Sequence, residues 1–353
     1  MSVPGGPALT VPGGGVLRVL YLLTTPPPVV PGTDAVVQEV ELLRARFGGE
    51  VMYLRPSWRA RARYPRELLG LHRLRTIRRW DAHVDLHHVY APQLFRLPLL
   101  RLVRRPVVYT VTSGVGPECR LPAASYLRRL RAIVVPGRTD LDALTGRGLG
   151  NAHLIRPGID VTSFVDAPTP AGPEFVLLSG SAPWTLAQFR TKGVDALLAL
   201  AREMRDVRLV FLWRGVLLPE LVARVERSGL SERVEILRDR VDVSRVLTRV
   251  HAAVVLAGQP GLVRAYPHSL LEALAAARPV VVNDGSPMAE YVRATECGCV
   301  VPGLETADLI AAVHDLRRSY EAYRARARVV GKRDFSQEEL VDAYRDLYHA
   351  VAG

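Results

Sequence analysis

Short apolar runs alternate with longer amphipathic stretches along most of the chain. Residues 18–23 open the regular part with a β-rich apolar run, read as a buried parallel strand. The prolines of residues 24–32 exclude a helix there. Residues 34–47 carry Val36, Val37, Val40, Leu43 and Phe47 at helical spacing and meet a stop at Gly48-Gly49. Residues 50–54 read as a second strand. Residues 67–79 read as a helix with Leu68, Leu69, Leu71, Leu74 and Ile77 on one side and arginines on the other. Next come a strand at 84–89, a helical stretch around 94–102, and strands at 106–111 and 131–135. A helix at 139–144 and a strand at 153–156 close this half.

Residues 166–173, rich in proline, read as a linker, and the alternation restarts beyond it. Strands are expected at 175–179, 207–213, 234–237, 252–256 and 279–283. Helices are expected at 194–204, 220–228, 244–250, 269–277 and 307–316, with a final amphipathic helix over 336–351. Such alternation argues for α/β architecture with two doubly wound, Rossmann-like domains. The expected division is a flexible leader over 1–16, a first Rossmann-like domain over 17–165, the linker 166–173, a second Rossmann-like domain over 174–330 and a closing helical segment over 331–353. Ligands of open parallel sheets bind outside the carboxyl ends of the strands, so a cleft between two such edges suits a two-part substrate pair.

The length of 353 residues fits two domains, and the apolar fraction of 48% is that of a globular chain. No apolar run approaches the ~20 residues needed to span a bilayer. Residues 1–15 have neither a basic start nor an apolar core, so they are no secretory signal. Three cysteines, Cys119, Cys297 and Cys299, are too few for a disulfide framework, and Cys297-Gly-Cys299 lacks partner ligands for zinc. The expected setting is reducing and cytosolic.

Charge adds one feature. The formal net charge is +12, and residues 55–105 supply +10 of it, with thirteen arginines against Glu67, Asp81 and Asp85. A single basic zone points to a polyanionic partner. The alternative is compositional, since only Lys192 and Lys332 are lysines and an arginine-biased genome would give a similar count. Few aromatics interleave the zone (Trp58, Tyr64 and Trp80), and no nucleic-acid motif is present, so nucleic acid is not expected. A helix with leucine on one face and arginine on the other suits anionic lipid, so peripheral contact with the inner face of a membrane through 55–105 is the favoured partner reading.

The most informative stretch is residues 264–283, where a loop enters a helix at Ser269 and a buried strand follows. Read as an N-cap, Ser269 would place free amides and a partial positive charge where a diphosphate binds, with Glu272 one turn in to hold a ribose. The same Ser269-x-x-Glu272 also reads as a capping box, in which Glu272 serves only its own helix. No Walker loop, G-x-G-x-x-G or H-E-x-x-H occurs.

This segment resembles the signature of retaining glycosyltransferases of the family 4 type, which have the GT-B fold. Glu272, Ala273 and Pro279-Val-Val281 match it. Other stretches resemble the family in order: Pro26–Gly32, Gly158-Ile-Asp160 with Phe164, Thr191-Lys192-Gly193-Val194-Asp195, and Ala289-Glu290 with Val292 and Gly298. A final helix over 335–348 is expected to cross back to the first domain. The resemblance implies transfer of a sugar from a nucleoside-diphosphate sugar with retention of configuration and no bound metal or other cofactor. It implies that Lys192 neutralises the leaving diphosphate and that Glu272 holds the ribose. Gly32, Gly180, Arg190, Arg214, His268, Ser269 and Leu270 are candidates for the donor, with Arg190 standing in for the arginine the family usually has after the first strand's glycine, where this chain has Ser181. Packing is an equal reading of the Trp213-Arg214-Gly215 strand end. Asp34, His87, His88 and Ser113 are candidates for the acceptor, although Asp34 also reads as a helix cap and a histidine pair at a strand end also reads as structural. The acceptor itself is open, with lipid-linked or anionic molecules favoured.

Two departures stand out. Arg264 occupies the position where the family usually has glutamate beside the donor sugar. A guanidinium has no acceptor atom, so it suits phosphate or an anionic sugar such as a uronate instead. Thr112 stands where many members carry histidine at the end of strand 106–111, and it is a poor base. The rival reading is therefore a non-catalytic relative that binds nucleotide or partners an active transferase.

Overall fold

The structure is a computed structural model. It describes residues 17–28, 32, 34–55, 68–116, 121–213, 216–238, 241–259 and 261–353. The expected leader over 1–16, Cys119, Arg214 and the arginines between 56 and 67 lie outside the described residues.

In chain order the elements are β1 (Val19–Leu23), α1 (Ala35–Phe47), β2 (Glu50–Tyr53), α2 (Leu74–Asp81), β3 (Leu86–Ala91), β4 (Val107–Val111), α3 (Ala124–Leu127), β5 (Ala132–Val135), α4 (Arg138–Thr145) and β6 (Ala152–Leu154). Then follow β7 (Phe175–Ser179), α5 (Ala187–Thr191), α6 (Val194–Glu203), β8 (Val207–Leu212), α7 (Leu218–Arg227), β9 (Val234–Leu237), α8 (Val243–Leu247), β10 (Ala252–Val255), α9 (His268–Ala275), β11 (Val280–Asn283), α10 (Ala289–Thr295) and β12 (Gly298–Val301). Three helices close the chain: α11 (Thr306–Arg318), α12 (Tyr320–Arg333) and α13 (Gln337–Ala352). Two compact units result, one formed by Met1–Pro157 with Glu338–Gly353, the other by Gly158–Gln337.

Each unit holds one six-stranded, all-parallel sheet. The orders are β2-β1-β3-β4-β5-β6 and β12-β11-β10-β7-β8-β9. Parallel strands covered on both faces have no polar side, which is why β1 is buried at all five positions. In the first unit α1 and α13 cover one face, where Val40, Phe47, Leu340 and Tyr344 pack on Val19, Tyr21 and Val108. The other face packs Leu20, Val89 and Tyr109 against Leu69, Ile77 and Leu99. In the second unit α6, α7 and α11 cover one face, and α8, α9, α10 and α12 the other.

Several boundaries differ from the sequence expectation. Gly70 sits at φ +79, and a Cβ there would lie 2.5 Å from Leu99 Cδ2, so the helix expected over 67–79 is interrupted and α2 begins only at Leu74. The helix expected around 94–102 is a single 3-10 turn, Pro98–Arg101. The segment 166–173 lies within the second unit, where Asp166 pairs with Arg324 and Arg328 and Arg278 donates to the Pro168 carbonyl. Helix α12 was not anticipated because its inward stripe, Tyr320, Ala327, Val330 and Gly331, is thin among charged residues.

Candidate functional site

In the second unit, β7 continues through β8 on one side, and β10 begins the other half of the sheet. The carboxyl ends of β7 and β10 therefore form the topological switch point, where open α/β sheets bind ligands. Gly180 ends β7, and α9 follows the loop that leaves β10. A Cβ on Gly180 would lie 2.8 Å from Ser269 Cβ and 3.0 Å from its Oγ. Two residues 89 positions apart thus meet, and the N-terminus of α9 is brought to the end of β7.

The start of α9 corrects one expectation. Pro267 is the N-cap and no side chain caps the helix. Ser269 is the second helical residue, so Ser269 and Glu272 form no capping box. The Leu270 amide donates to the Pro267 carbonyl at 2.9 Å, and the Leu270 side chain is fully buried in the core. Leu270 is therefore no donor contact. The first helical amides belong to His268 and Ser269, the positions an α-helix leaves without an intrahelical acceptor. His268, Ser269 and Glu272 are half-buried, as is Arg264 in the loop ahead of the helix.

Lys192 follows α5 in a tight turn. Gly193, at φ +71, completes that turn, and a Cβ there would lie 2.4 Å from Leu256 Cδ1, so the Lys-Gly pair is dictated by packing. The Lys192 side chain is 7% exposed, and its Nζ donates to the Ala182 carbonyl at 3.0 Å. Burial pushes the ammonium down to about 8. An ammonium still charged at neutral pH, with one carbonyl partner, retains donors for an anion.

A pair of residues absent from the sequence expectation holds that turn. The buried Asn283 side chain accepts from the Ala257 amide at 2.8 Å and donates to the Ala257 carbonyl at 2.9 Å. The next amide, Gly258, donates to the Thr191 carbonyl at 2.7 Å. The end of β11 is thereby tied to the turn that carries Lys192. The available signal was an asparagine closing the apolar run Val280–Val282. Arg190 is exposed and lines a pocket of about 670 Å³ with Asn283, Gly258, Glu305 and Thr306. Lys192, Ser269 and Glu272 are not in that lining, so the pocket and the diphosphate candidates occupy different stretches of the carboxyl edge. Trp213 packs on Phe189 and Phe211 in the core.

The first unit has its own carboxyl edge. Thr112 follows β4, with its amide on the Ala91 carbonyl at 2.9 Å and its hydroxyl reaching the same oxygen at 3.4 Å. The buried Ser113 donates its amide to the Pro92 carbonyl. Gly32 lies exposed in the loop between β1 and α1 and accepts from Gln38 Nε2 through its carbonyl. Asp34 is the N-cap of α1, with Oδ1 accepting from the Val36 and Val37 amides at 2.9 and 3.1 Å. Capping is thus the work its geometry gives it. Asp140, which the sequence reading passed over, holds the loop after Ser113 by accepting from the Val115 amide at 2.8 Å.

His87 and His88 are not at this edge. They are the second and third residues of the six-residue β3, in register with Leu20 and Tyr21, toward its amino end. Both are fully buried. His87 Nε2 bonds Asp81 at 2.8 Å; His88 bonds the Tyr348 hydroxyl at 2.6 Å and the Thr110 hydroxyl at 2.7 Å. Burial lowers both pKa values. Alternation along a strand sends them to opposite faces, and neither is an acceptor contact.

Residues 184–319 match the sequence profile described as Glycosyl transferases group 1. The span contains Lys192, Arg264, Ser269 and Glu272. A phosphatidyl-myo-inositol mannosyltransferase of Mycobacterium leprae is 29% identical over 258 residues, 69% of this chain and 67% of that protein. The matched region is similar to group 1 glycosyl transferases, and the fold is GT-B. Two solved structures share the fold. The HepE protein of Anabaena in complex with UDP and glucose superposes with a TM-score of 0.69 at 14% identity, covering 94% of this chain and 99% of that one. Sucrose-phosphate synthase of Thermosynechococcus elongatus superposes with a TM-score of 0.69 at 15% identity, covering 95% of this chain and 100% of that one. Among the described residues, no helix is long and apolar enough to cross a membrane.

Proposed function

We propose that this chain is a glycosyltransferase that moves a sugar from a nucleoside-diphosphate sugar to an acceptor with retention of anomeric configuration. The observation that carries the reading is the buried Lys192 ammonium on the same unit, and at the same sheet edge, as the Gly180–Ser269 contact. Those are the groups a departing diphosphate needs: a cation with spare donors and a helix N-terminus.

In this reading the amides of His268 and Ser269 and the Lys192 ammonium hold the diphosphate. Glu272, one turn into α9, accepts from the ribose hydroxyls. Arg264 faces the sugar and favours an anionic donor. The bond from the anomeric carbon to the diphosphate breaks, the acceptor oxygen bonds to the same face, and its proton passes to the departing diphosphate. Cationic side chains supply the neutralisation, so the reading requires no resident metal. The first unit takes the acceptor, with Thr112, Ser113 and the loop around Gly32 along its carboxyl edge.

UDP is the first nucleotide to test, since HepE of Anabaena is seen with UDP and glucose. A lipid-linked, anionic acceptor is favoured because the mycobacterial relative is named for phosphatidyl-myo-inositol. The two described cysteines, Cys297 and Cys299, are free and buried, as suits a reducing compartment, and we place the reaction in the cytoplasm.

Calorimetric titration with UDP, GDP, ADP and TDP tests the donor site. One of the four is expected to bind the native protein, with binding lost in Lys192→Ala. No binding of any of them by a folded sample overturns the reading in favour of a non-catalytic relative. Once a donor is known, the anomeric coupling constant in the product reports retention or inversion.

A further inference from the structure

We propose that an arginine face on the first unit docks this protein on an anionic lipid bilayer. The face is built from α2 and from the chain between the Pro98–Arg101 turn and Arg105. Its two parts are held together at both ends. At one end the turn at Gly70 lies against Leu99 so closely that a Cβ would be 2.5 Å from it. At the other, Asp81 at the end of α2 accepts from the amides of Arg104 and Arg105 at 3.0 and 3.2 Å.

Arg75, Arg78 and Arg79 on α2 are exposed, as are Arg101, Arg104 and Arg105 beside it. None of the six is in an ion pair among the described residues. The carboxylate nearest to them in the chain, Asp81, is buried and occupied by His87 and the two amides. In the second unit most of the described arginines are paired, with Arg190, Arg202 and Arg205 among the exposed exceptions. There Arg208, Arg224, Arg249, Arg317, Arg324 and Arg328 each meet a carboxylate. An arginine-biased composition would raise the count in both units, but it would not leave one cluster without counter-charges. A face of uncompensated guanidinium groups is complementary to a polyanion.

The apolar residues on the face select among polyanions. Leu102, 41% exposed, stands in the second segment, and Leu68, 44% exposed, precedes the Gly70 turn that leads into α2. Beneath them Ile77 and Leu99 belong to the core, so α2 carries cations outward and aliphatic carbon inward and at its ends. Nucleic-acid strands are held by basic grooves with exposed aromatic rings that stack on bases. Among the described residues of this face no aromatic side chain is exposed, and Trp80 is half-buried. Exposed leucines beside arginines fit the interfacial zone of a bilayer, where the chains enter the acyl boundary and the guanidinium groups meet headgroup phosphate. The proposal is independent of the sugar-transfer reading, because it uses none of the residues assigned to donor or acceptor.

Co-sedimentation with vesicles tests it. The native protein is expected to pellet with phosphatidylcholine–phosphatidylglycerol vesicles at low salt, to be released at high salt, and to stay in solution with phosphatidylcholine alone. The triple variant Arg75→Glu, Arg78→Glu, Arg79→Glu should lose at least about tenfold in vesicle affinity, with its melting temperature and nucleotide binding retained. The pair Leu68→Ser, Leu102→Ser should weaken vesicle binding while leaving retention on heparin unchanged, which a purely polyanionic contact would not do. Failure of the native protein to pellet with anionic vesicles at low salt overturns the proposal. So does tighter binding to a single-stranded oligonucleotide than to those vesicles.

Discussion

Gly180 leaves no room for a Cβ beside Ser269: the added carbon would stand 2.8 Å from the serine Cβ, against backbone-anchored atoms that cannot swing away. Gly180→Ala is therefore expected to push the start of α9 from the end of β7. Overpacking of this kind costs about 1–3 kcal/mol. Nucleotide affinity should fall by about tenfold, the equivalent of 1.4 kcal/mol, and calorimetry on the variant reads it directly. Unchanged affinity would separate the α9 N-terminus from the donor site.

Lys192 sets function against stability. Its folded-state pKa of about 8 lies below the ordinary 10.5 because burial disfavours the charge. Between these values the unfolded chain holds the proton more tightly, so stability rises with pH across roughly 8 to 10.5 and is reduced below that window. The shift corresponds to about 3 kcal/mol. Lys192→Met should raise the unfolding free energy of the nucleotide-free protein at pH 7, by an amount up to that figure, and should abolish nucleotide protection. Urea denaturation with and without nucleotide measures both.

Buried neutral histidines predict sensitivity to acid. His87, His88 and His251 all have pKa values lowered by desolvation, His251 to about 4. The unfolded chain binds protons that these residues refuse, so stability is lost as pH falls below about 6.5. The three together give a slope of up to about 4 kcal/mol per pH unit. His251→Gln keeps an acceptor for the Val176 amide, which His251 Nδ1 meets at 3.0 Å, and should lower the slope by roughly a third. Denaturation midpoints from pH 7 to 4.5 provide the check.

Asn283 satisfies both backbone groups of Ala257. Asn283→Leu is close in size but leaves a buried amide and a buried carbonyl without partners, at about 1–3 kcal/mol each. It should lower the melting temperature and, through the Gly258–Thr191 bond, loosen the turn of Lys192. An effect on melting temperature alone would limit Asn283 to a structural role.

Arg264 should govern sugar choice and leave the nucleotide alone. Arg264→Glu is expected to keep nucleotide affinity within about threefold, since the residue is not one of the diphosphate groups in this reading, and to shift turnover from anionic toward neutral donor sugars. A mixed donor panel assayed by mass spectrometry decides it.

The strands were legible in the sequence because buried parallel strands are continuous apolar runs, as in residues 19–23 and 280–282. Helices with broad apolar faces, such as α1, were legible for the same reason. Helix α12 was not, because it packs through small atoms: a Cβ on Gly331 would stand 2.2 Å from the backbone of Leu274. The pairing of Lys192 with glycine was visible as a motif, whereas Asn283 was invisible because its partners are main-chain atoms. His87 and His88 misled because their sequence neighbourhood shows a strand but not which end of it faces ligand.

By itself the sequence determined the alternation of strand and helix, the concentration of arginine in one zone, and the Lys192 and Glu272 motifs, since each depends on order along the chain. The tertiary structure alone decided that Gly180 meets Ser269 and that Leu270 spends its amide on Pro267. It also decided that Asp81 turns inward while the exposed arginines around it meet no carboxylate among the described residues. Those outcomes depend on which backbone atoms approach across the fold, and close approach is set by packing between distant segments.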